Sequence, residues 1–400
     1  MINLEMPKKF GMLVNQAHQV STEIFRPISR KYDRAEHEYP QELDMLASLI
    51  DGMNASGETS TGARGVRRSE GETGNRNGTN MSGVLSVIEA CWGDVAMVLS
   101  MPRQGLGDAA IASVANDEQL ERFGGLWASM AITEPGFGSD SSAVSTTAVR
   151  DGDDYVLNGE KIFVTAGGRS NAVVVWATID KSRGRAAIKS FVVEKGTPGL
   201  EVERLEHKLG IRASDTATIR FTDCRVPSAN MLGSPDIEDE QGFAGAMQTF
   251  DNTRPLVAGM AVGCARAALD LTEDLLKEAG VEVDYDKPAY SQHAAAAAYL
   301  QMEADWEAGY LLTMQATWMA DNNKPNSLQA SMAKSKAARV GVEITLRCVE
   351  LAGTLGYSED SLLEKWARDS KILDIFEGTQ QIQQLIVARR LLNKSSAELK

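Results

Sequence analysis

Apolar spacing switches twice along this 400-residue chain, from helical to strand-like and back, and that order constrains the fold more than any single motif. Residues 8–54 and 82–126 place apolar side chains three and four apart, the spacing of amphipathic helices. Between them, Ala55 to Met81 is rich in Gly, Ser, Thr, Asn and Arg and nearly empty of large apolar residues, which predicts an exposed loop. From Met130 the period is that of strands. Val173–Trp176, Ile188–Val193 and Thr218–Phe221 are short strand-forming runs. Tyr155–Val164 reads as two strand segments turning at Asn158-Gly159, the favoured two-residue hairpin turn. Strands this dense predict an antiparallel barrel or sandwich of about 110 residues. After Gln241 the helical spacing returns, and in the last helix Ile382, Leu385, Ile386 and Leu392 are expected on one face. The expected fold is therefore α+β and multi-domain, since the length exceeds what one core supports. Its parts are an N-terminal all-α domain over 1–128 with loop 55–81, a central β domain over 129–238, and a helical domain over 239–400.

A net charge of -14 argues against nucleic acid or an anionic membrane surface as the main partner. No run of about 18 apolar residues suggests a membrane span, and the first residues show no signal-peptide pattern. Cys91, Cys224, Cys264 and Cys348 are scattered without a CxxC pair, which suits free thiols in a reducing cytoplasm. None of the four histidines has metal-ligand spacing, so no metal is expected.

Three segments carry chemistry. In Ile375-Phe376-Glu377-Gly378-Thr379-Gln380-Gln381-Ile382-Gln383, a carboxylate lies between two bulky apolar residues and a glycine. Such neighbours exclude water, disfavour the charge and raise the pKa towards the range useful in a base, while Gly378 leaves room beside the backbone. Glu-Gly after a hydrophobic pair is also a common helix ending, and the segment alone leaves both readings open. Ile132-Thr133-Glu134-Pro135-Gly136-Phe137-Gly138-Ser139-Asp140 combines glycines with hydroxyls, which suits close approach of a planar or phosphorylated ligand as well as a simple tight turn. Phe163 and Thr165 are two apart, so a regular strand would put them on one face.

These segments, with Leu157–Lys161 through Gly168, Lys208–Ser214, Phe221–Pro227, Phe250–Pro255 and Arg368–Gln383, resemble the acyl-CoA dehydrogenase family of flavoenzymes in order and spacing. The resemblance spans the chain except loop 55–81 and residues around 280–293. It implies a C-terminal four-helix bundle, FAD as cofactor, an acyl-CoA substrate and an electron-transfer flavoprotein as acceptor. By the same resemblance, Met130, Ile132 and Thr133 lie along the flavin, Phe163 packs on its far face and Thr165 bonds near N5. Gly138 and Ser139 face the flavin phosphates or the thioester ligand, and Thr379 and Gln381 contact FAD. Phe250, Asp251 and Arg254 line the coenzyme A channel, Gly378 adjoins the substrate, and Glu377 falls on the catalytic base.

The chain also departs from the family. Homotetrameric relatives complete each flavin site with an Arg-x-x-Phe pair, a glutamine, and a later Gln with a Gly-Gly turn, all from a neighbouring subunit. The matching residues here are Glu282-Val283-Asp284-Tyr285, His293 and Glu350-Leu351-Ala352-Gly353-Thr354, and no arginine lies between Arg266 and Arg339. A glutamate facing a pyrophosphate is repulsive. The expectation is an α2β2 assembly with a homologous subunit that supplies the missing groups, with a homotetramer or homodimer as the simpler alternative. A scaffolding subunit poor in FAD and an acyl-CoA oxidase are the competing functions.

Overall fold

The computed structural model describes residues 7–55, 78–103, 106–141, 143–237, 244–395 and 398, without the side chains of 49–55 and 244–252. The 55–81 loop lies almost wholly outside these residues.

The N-terminal helices are α1 (Gly11–Val20), joined through a π-turn to α2 (Arg26–Arg34), then α3 (Glu42–Ala55), α4 (Thr79–Gly93), α5 (Val95–Ser100), α6 (Leu106–Val114) and α7 (Asp117–Phe123). Their ends are chemically marked. Asn116 and Gln119 form a reciprocal capping box on α7, and Asp94 caps α5 by accepting from the Met97 N–H.

Among the described residues seven strands follow: β1 (Ala128–Ala131), β2 (Thr147–Asp151), β3 (Asp154–Thr165), β4 (Ala172–Thr178), β5 (Ile188–Glu194), β6 (Leu200–Leu205) and β7 (Thr216–Pro227). They form one sheet of order β1-β4-β2-β3-β7-β6, with β5 paired to β4. Most pairings are antiparallel, as expected, but β1 and β2 both run parallel to β4. The Asn158-Gly159 hairpin does not form. β3 runs straight through it, and the register against β7 shifts between Leu157 and Gly159. The reason is local: the Asn158 amide bonds Asp223 of β7, and a Cβ at Gly159 would meet Thr146 Oγ1 at 2.5 Å. The real turn lies between β2 and β3, at Gly152 with φ 65°.

The C-terminal domain holds α8 (Ala244–Glu278), α9 (Ala294–Asp321), α10 (Ser327–Ala352), the short α11 (Thr354–Tyr357), α12 (Leu363–Leu373) and α13 (Gln380–Leu392). The segment Thr253–Glu278 of α8 is long and apolar enough to cross a membrane by length and composition, contrary to the sequence expectation. It is instead the central helix of the main core, with Ala258, Ala261, Cys264, Ala268 and Leu269 fully enclosed by α4, α9 and α10. The expected face of α13 is only partly covered: Ile382 and Ile386 are half-buried, whereas Leu385 and Leu392 are exposed.

The three parts are pinned together by buried charge. Lys365 of α12, 0% exposed, reaches Asp94 Oδ2 at 2.6 Å and also pairs with Asp369. Asp369 Oδ1 accepts the Ile211 N–H from the β domain, and Ser29 of α2 donates to Asp94. One lysine thus ties N-terminal helices, sheet and C-terminal helices.

Candidate active site

The turn between α12 and α13 carries Glu377 with φ 57° and Gly378 with φ 93°. The first value is costly for a residue with a Cβ, so the surroundings hold it there. Thr253 of α8 donates from its hydroxyl to Glu377 Oε2 at 2.7 Å. Pro255, two residues further, lacks an N–H and interrupts the hydrogen-bond ladder of α8 beside this contact. Arg254 is 3% exposed and Lys334 of α10 is 0% exposed. Lys334 Nζ donates to the Gly378 carbonyl at 2.6 Å, and Gln383 Nε2 donates to the Glu377 carbonyl at 2.9 Å. The Glu377 N–H meets no acceptor among the described residues.

Burial pushes the Glu377 carboxyl above its ordinary value of 4.5, against the Thr253 hydroxyl and the charges of Arg254 and Lys334, which pull it down. Of the apolar guards expected beside it, Phe376 packs against the helical core, whereas Ile375 is 48% exposed. The water-excluding wall on that side is therefore incomplete in the single chain.

On the sheet, β1 ends at Ala131 and the chain runs on beside β3. Ile162 N–H donates to the Thr133 carbonyl at 2.9 Å, and Lys161 Nζ to the Ile132 carbonyl at 3.1 Å. This brings Met130, Ile132 and Thr133, all half-buried, alongside Phe163. Phe163 sits in a second register shift of β3, between Lys161 and Val164, with φ 56°, and its ring is 59% exposed. Because of that shift, Phe163 and Thr165 are not related by plain strand alternation. Gly136 and Gly138 have open space, with no other described residue within 4 Å of where a Cβ would sit beyond their chain neighbours, and Ser139 is exposed. An uncovered aromatic ring, flanked by half-buried apolar groups and hydroxyls and by an open glycine turn, fits a flat cofactor with a phosphorylated tail.

Thr379 Oγ1 caps α13 by accepting the Ile382 N–H at 3.4 Å, and Gln381 is exposed on its first turn. The side chains of Phe250 and Asp251 lie outside the described residues.

Sequence reading assigned no role to Thr253, Lys334 or Gln383, although Thr253 and Gln383 lie inside quoted segments. It also missed the pair beneath the glycine turn. Glu134, 2% exposed, accepts from Lys161 Nζ at 2.7 Å and from the amide and hydroxyl of both Ser145 and Thr146. Burial pushes Glu134 up, but Lys161 and the hydroxyls win and hold it at about 2, while burial lowers Lys161 to about 8. The pair stays ionised at neutral pH.

The residues that depart from the family find other uses. The Tyr285 hydroxyl donates to Glu303 at 2.7 Å, His293 Nδ1 caps α9, and Glu350 pairs with Arg347. Glu282 and Thr354 are exposed, and Gly353 has φ 58°. Two histidines that sequence spacing kept apart also meet. Ligand atoms of Glu36, His37 and His207 lie within 4.8 Å of one another at the junction of the N-terminal helices and the sheet.

Comparison with known proteins agrees with this geometry. Residues 129–224 match the acyl-CoA dehydrogenase middle domain, and residues 240–392 match the acyl-CoA dehydrogenase C-terminal domain. The chain is 30% identical to acryloyl-CoA reductase (NADH) of Anaerotignum propionicum over 98% of its own length and 97% of that protein. It is 32% identical to the caffeyl-CoA reductase-Etf complex subunit CarC of Acetobacterium woodii, covering 88% of this chain and 95% of that one. The three-dimensional structure of butyryl-CoA dehydrogenase from Megasphaera elsdenii superposes with a TM-score of 0.80 at 30% identity, over 98% of this chain and all of that chain.

Proposed function

The chain belongs to the acyl-CoA dehydrogenase family, and on that premise we propose that Glu377 is the base that removes the α-proton of an acyl-CoA thioester. The reaction is the FAD-dependent α,β-dehydrogenation of the thioester to a trans-2-enoyl-CoA, with electrons passing to an electron-transfer flavoprotein. One observation carries the assignment of the base: a carboxylate held by Thr253 on a strained turn, with its own backbone N–H unpartnered among the described residues.

FAD, when bound, accepts the β-hydride. Met130, Ile132, Thr133, Phe163 and Thr165 would hold its ring, Gly138 and Ser139 its phosphates or the thioester ligand, and Thr379 and Gln381 further atoms. Thr253 aims the carboxylate at one orientation, so the α-proton is met by a fixed oxygen rather than a rotating one. The Glu377 N–H is placed to donate to the thioester oxygen, where charge grows as the proton leaves. Arg254, buried beside the base, lines the coenzyme A channel in the same reading, with Phe250 and Asp251, and Gly378 adjoins the acyl group.

The partner is proposed to be a homologous subunit in an α2β2 assembly. Leu346, Leu355, Tyr357, Leu385, Leu391 and Leu392 are large apolar side chains exposed on α10, α11 and α13, which favours a covered face. Glu282, Tyr285 and Glu350 offer no cation to a neighbour's pyrophosphate, which favours a different chain over a second copy. The four cysteines, all buried and free, suit cytoplasmic residence. The decisive experiment expresses the chain alone and with candidate homologous subunits, then measures bound flavin and acyl-CoA-driven bleaching. Flavin retained only in the co-expressed complex is the expected result. Stoichiometric FAD in a pure homotetramer refutes the heteromer, fast reoxidation by oxygen indicates an oxidase, and FAD held only against the partner's sheet indicates a scaffold.

A further inference from the structure

The turn that presents Glu377 is gripped from behind by two side chains that no sequence pattern singled out. Lys334 is a fully buried ammonium with no carboxylate in ion-pair distance among the described residues, and its hydrogen bond goes to the Gly378 carbonyl at 2.6 Å. Isolated buried charge is expensive, so a lysine in such a place calls for a reason beyond packing. Gln383, also 0% exposed, spends its amide on the same turn, at 2.9 Å from the Glu377 carbonyl and 3.2 Å from that of Gly378. Its Oε1 is buried and has no partner among the described residues. Two successive carbonyls are thus held from α10 and α13. Both belong to residues with left-handed torsions, which without such a grip would relax and swing the carboxylate and the N–H away.

We propose that Lys334 and Gln383 are positioning residues for the reaction: both clamp the Glu377–Gly378 turn, and Lys334 sets a positive charge behind the base. The inference rests on Glu377 being the base. The charged groups around the carboxylate come from three directions: Arg254 from α8, Lys334 from α10, and Asp374 from the start of the turn, which acts on Lys334. Burial lowers Lys334 to about 8, with Arg254 pushing the same way and Asp374 and Glu377 opposing. Below that pH the lysine is charged and pulls the glutamate down. Above it the pull fades, and the parent and a charge-free variant converge.

Separate variants resolve the two roles. Lys334→Gln keeps a donor and removes the charge, whereas Gln383→Leu removes donors and leaves charge alone. Infrared difference spectra of the FAD-loaded complex, titrated without substrate, report the protonated Glu377 carbonyl band, identified by its absence in Glu377→Gln. The midpoint of that band moves to higher pH in Lys334→Gln and stays in place in Gln383→Leu. For flavin reduction by the acyl-CoA that bleaches the unaltered complex fastest, Lys334→Gln is about tenfold slower at pH 6 and equal to the parent at pH 9. Gln383→Leu is about tenfold slower at every pH. Lys334→Met, lacking both donor and charge, shows both defects, and it tests the same point if the glutamine variant folds poorly. An unmoved infrared midpoint in Lys334→Gln overturns the charge role, and an unchanged rate in Gln383→Leu overturns the clamp. If instead Glu377→Gln is still bleached normally, the base assignment fails, while the infrared titration still reports on Lys334.

Discussion

Replacing Lys365 with methionine removes the one cation from a site where Asp94, Lys365 and Asp369 are all 0% exposed. What remains is two carboxylates with partial compensation. Asp94 keeps the Ser29 hydroxyl and the Met97 N–H, and Asp369 keeps the Ile211 N–H. Removing one member of a buried ionic group costs about 3–5 kcal/mol, because the survivors stay desolvated and unpaired. Their surviving hydrogen bonds argue for the lower half of that range, about 3–4 kcal/mol. Burial already raises Asp369 against the pull of Lys365, and without the lysine it rises further. A carboxylate with a raised folded-state pKa stabilises the fold only below its unfolded value, and that contribution vanishes as pH climbs through the folded value. The defect therefore grows between pH 5 and pH 8. Urea unfolding followed by the fluorescence of Trp366, the buried neighbour on α12, measures it at both pH values. The triple variant Lys365→Met, Asp94→Asn, Asp369→Asn should recover most of the loss. A defect below about 1 kcal/mol, or one identical at both pH values, refutes the reasoning.

Lys161→Met should cost about 3 kcal/mol and weaken FAD retention, since it frees both Glu134 and the Ile132 carbonyl; a thermal melt and flavin absorbance after gel filtration check it. Glu134 stabilises the unaltered protein above the ordinary value of 4.5, and that contribution is lost only as pH falls through about 2, so mild acid should not mimic the variant. Gly378→Ala puts a Cβ 2.5 Å from Gln383 Nε2 at φ 93°; it should slow flavin reduction at least tenfold, about 1.4 kcal/mol or more, while FAD binding changes little.

The broad plan was legible because periodicity reports which face is buried, and both switches of period survive in the fold. Where the reading failed, an unseen neighbour decided. Asn158-Gly159 carries the right residues for a turn, but Asp223 and Thr146, distant in sequence, make it a bulge. Leu385 and Leu392 have the spacing of a buried stripe, and a single chain gives them nothing to bury against. Glu377 was visible through its apolar flanks and its resemblance. Thr253, Lys334 and Gln383 converge on it from three helices, and a lysine in a run of alanines and serines reads as surface until the helices are packed. His37 and His207 meet for the same reason: tertiary contact, not spacing, brings them together.

Glu377→Gln in the FAD-loaded complex tests the central claim most directly. The side chain keeps its size and its contact with Thr253, and burial already disfavours the charge it loses, so the variant should fold and hold FAD as well as the parent. Substrate-driven bleaching of the flavin should be abolished. Bleaching at the parent's rate would mean that another group takes the α-proton, and the account of this site would be wrong.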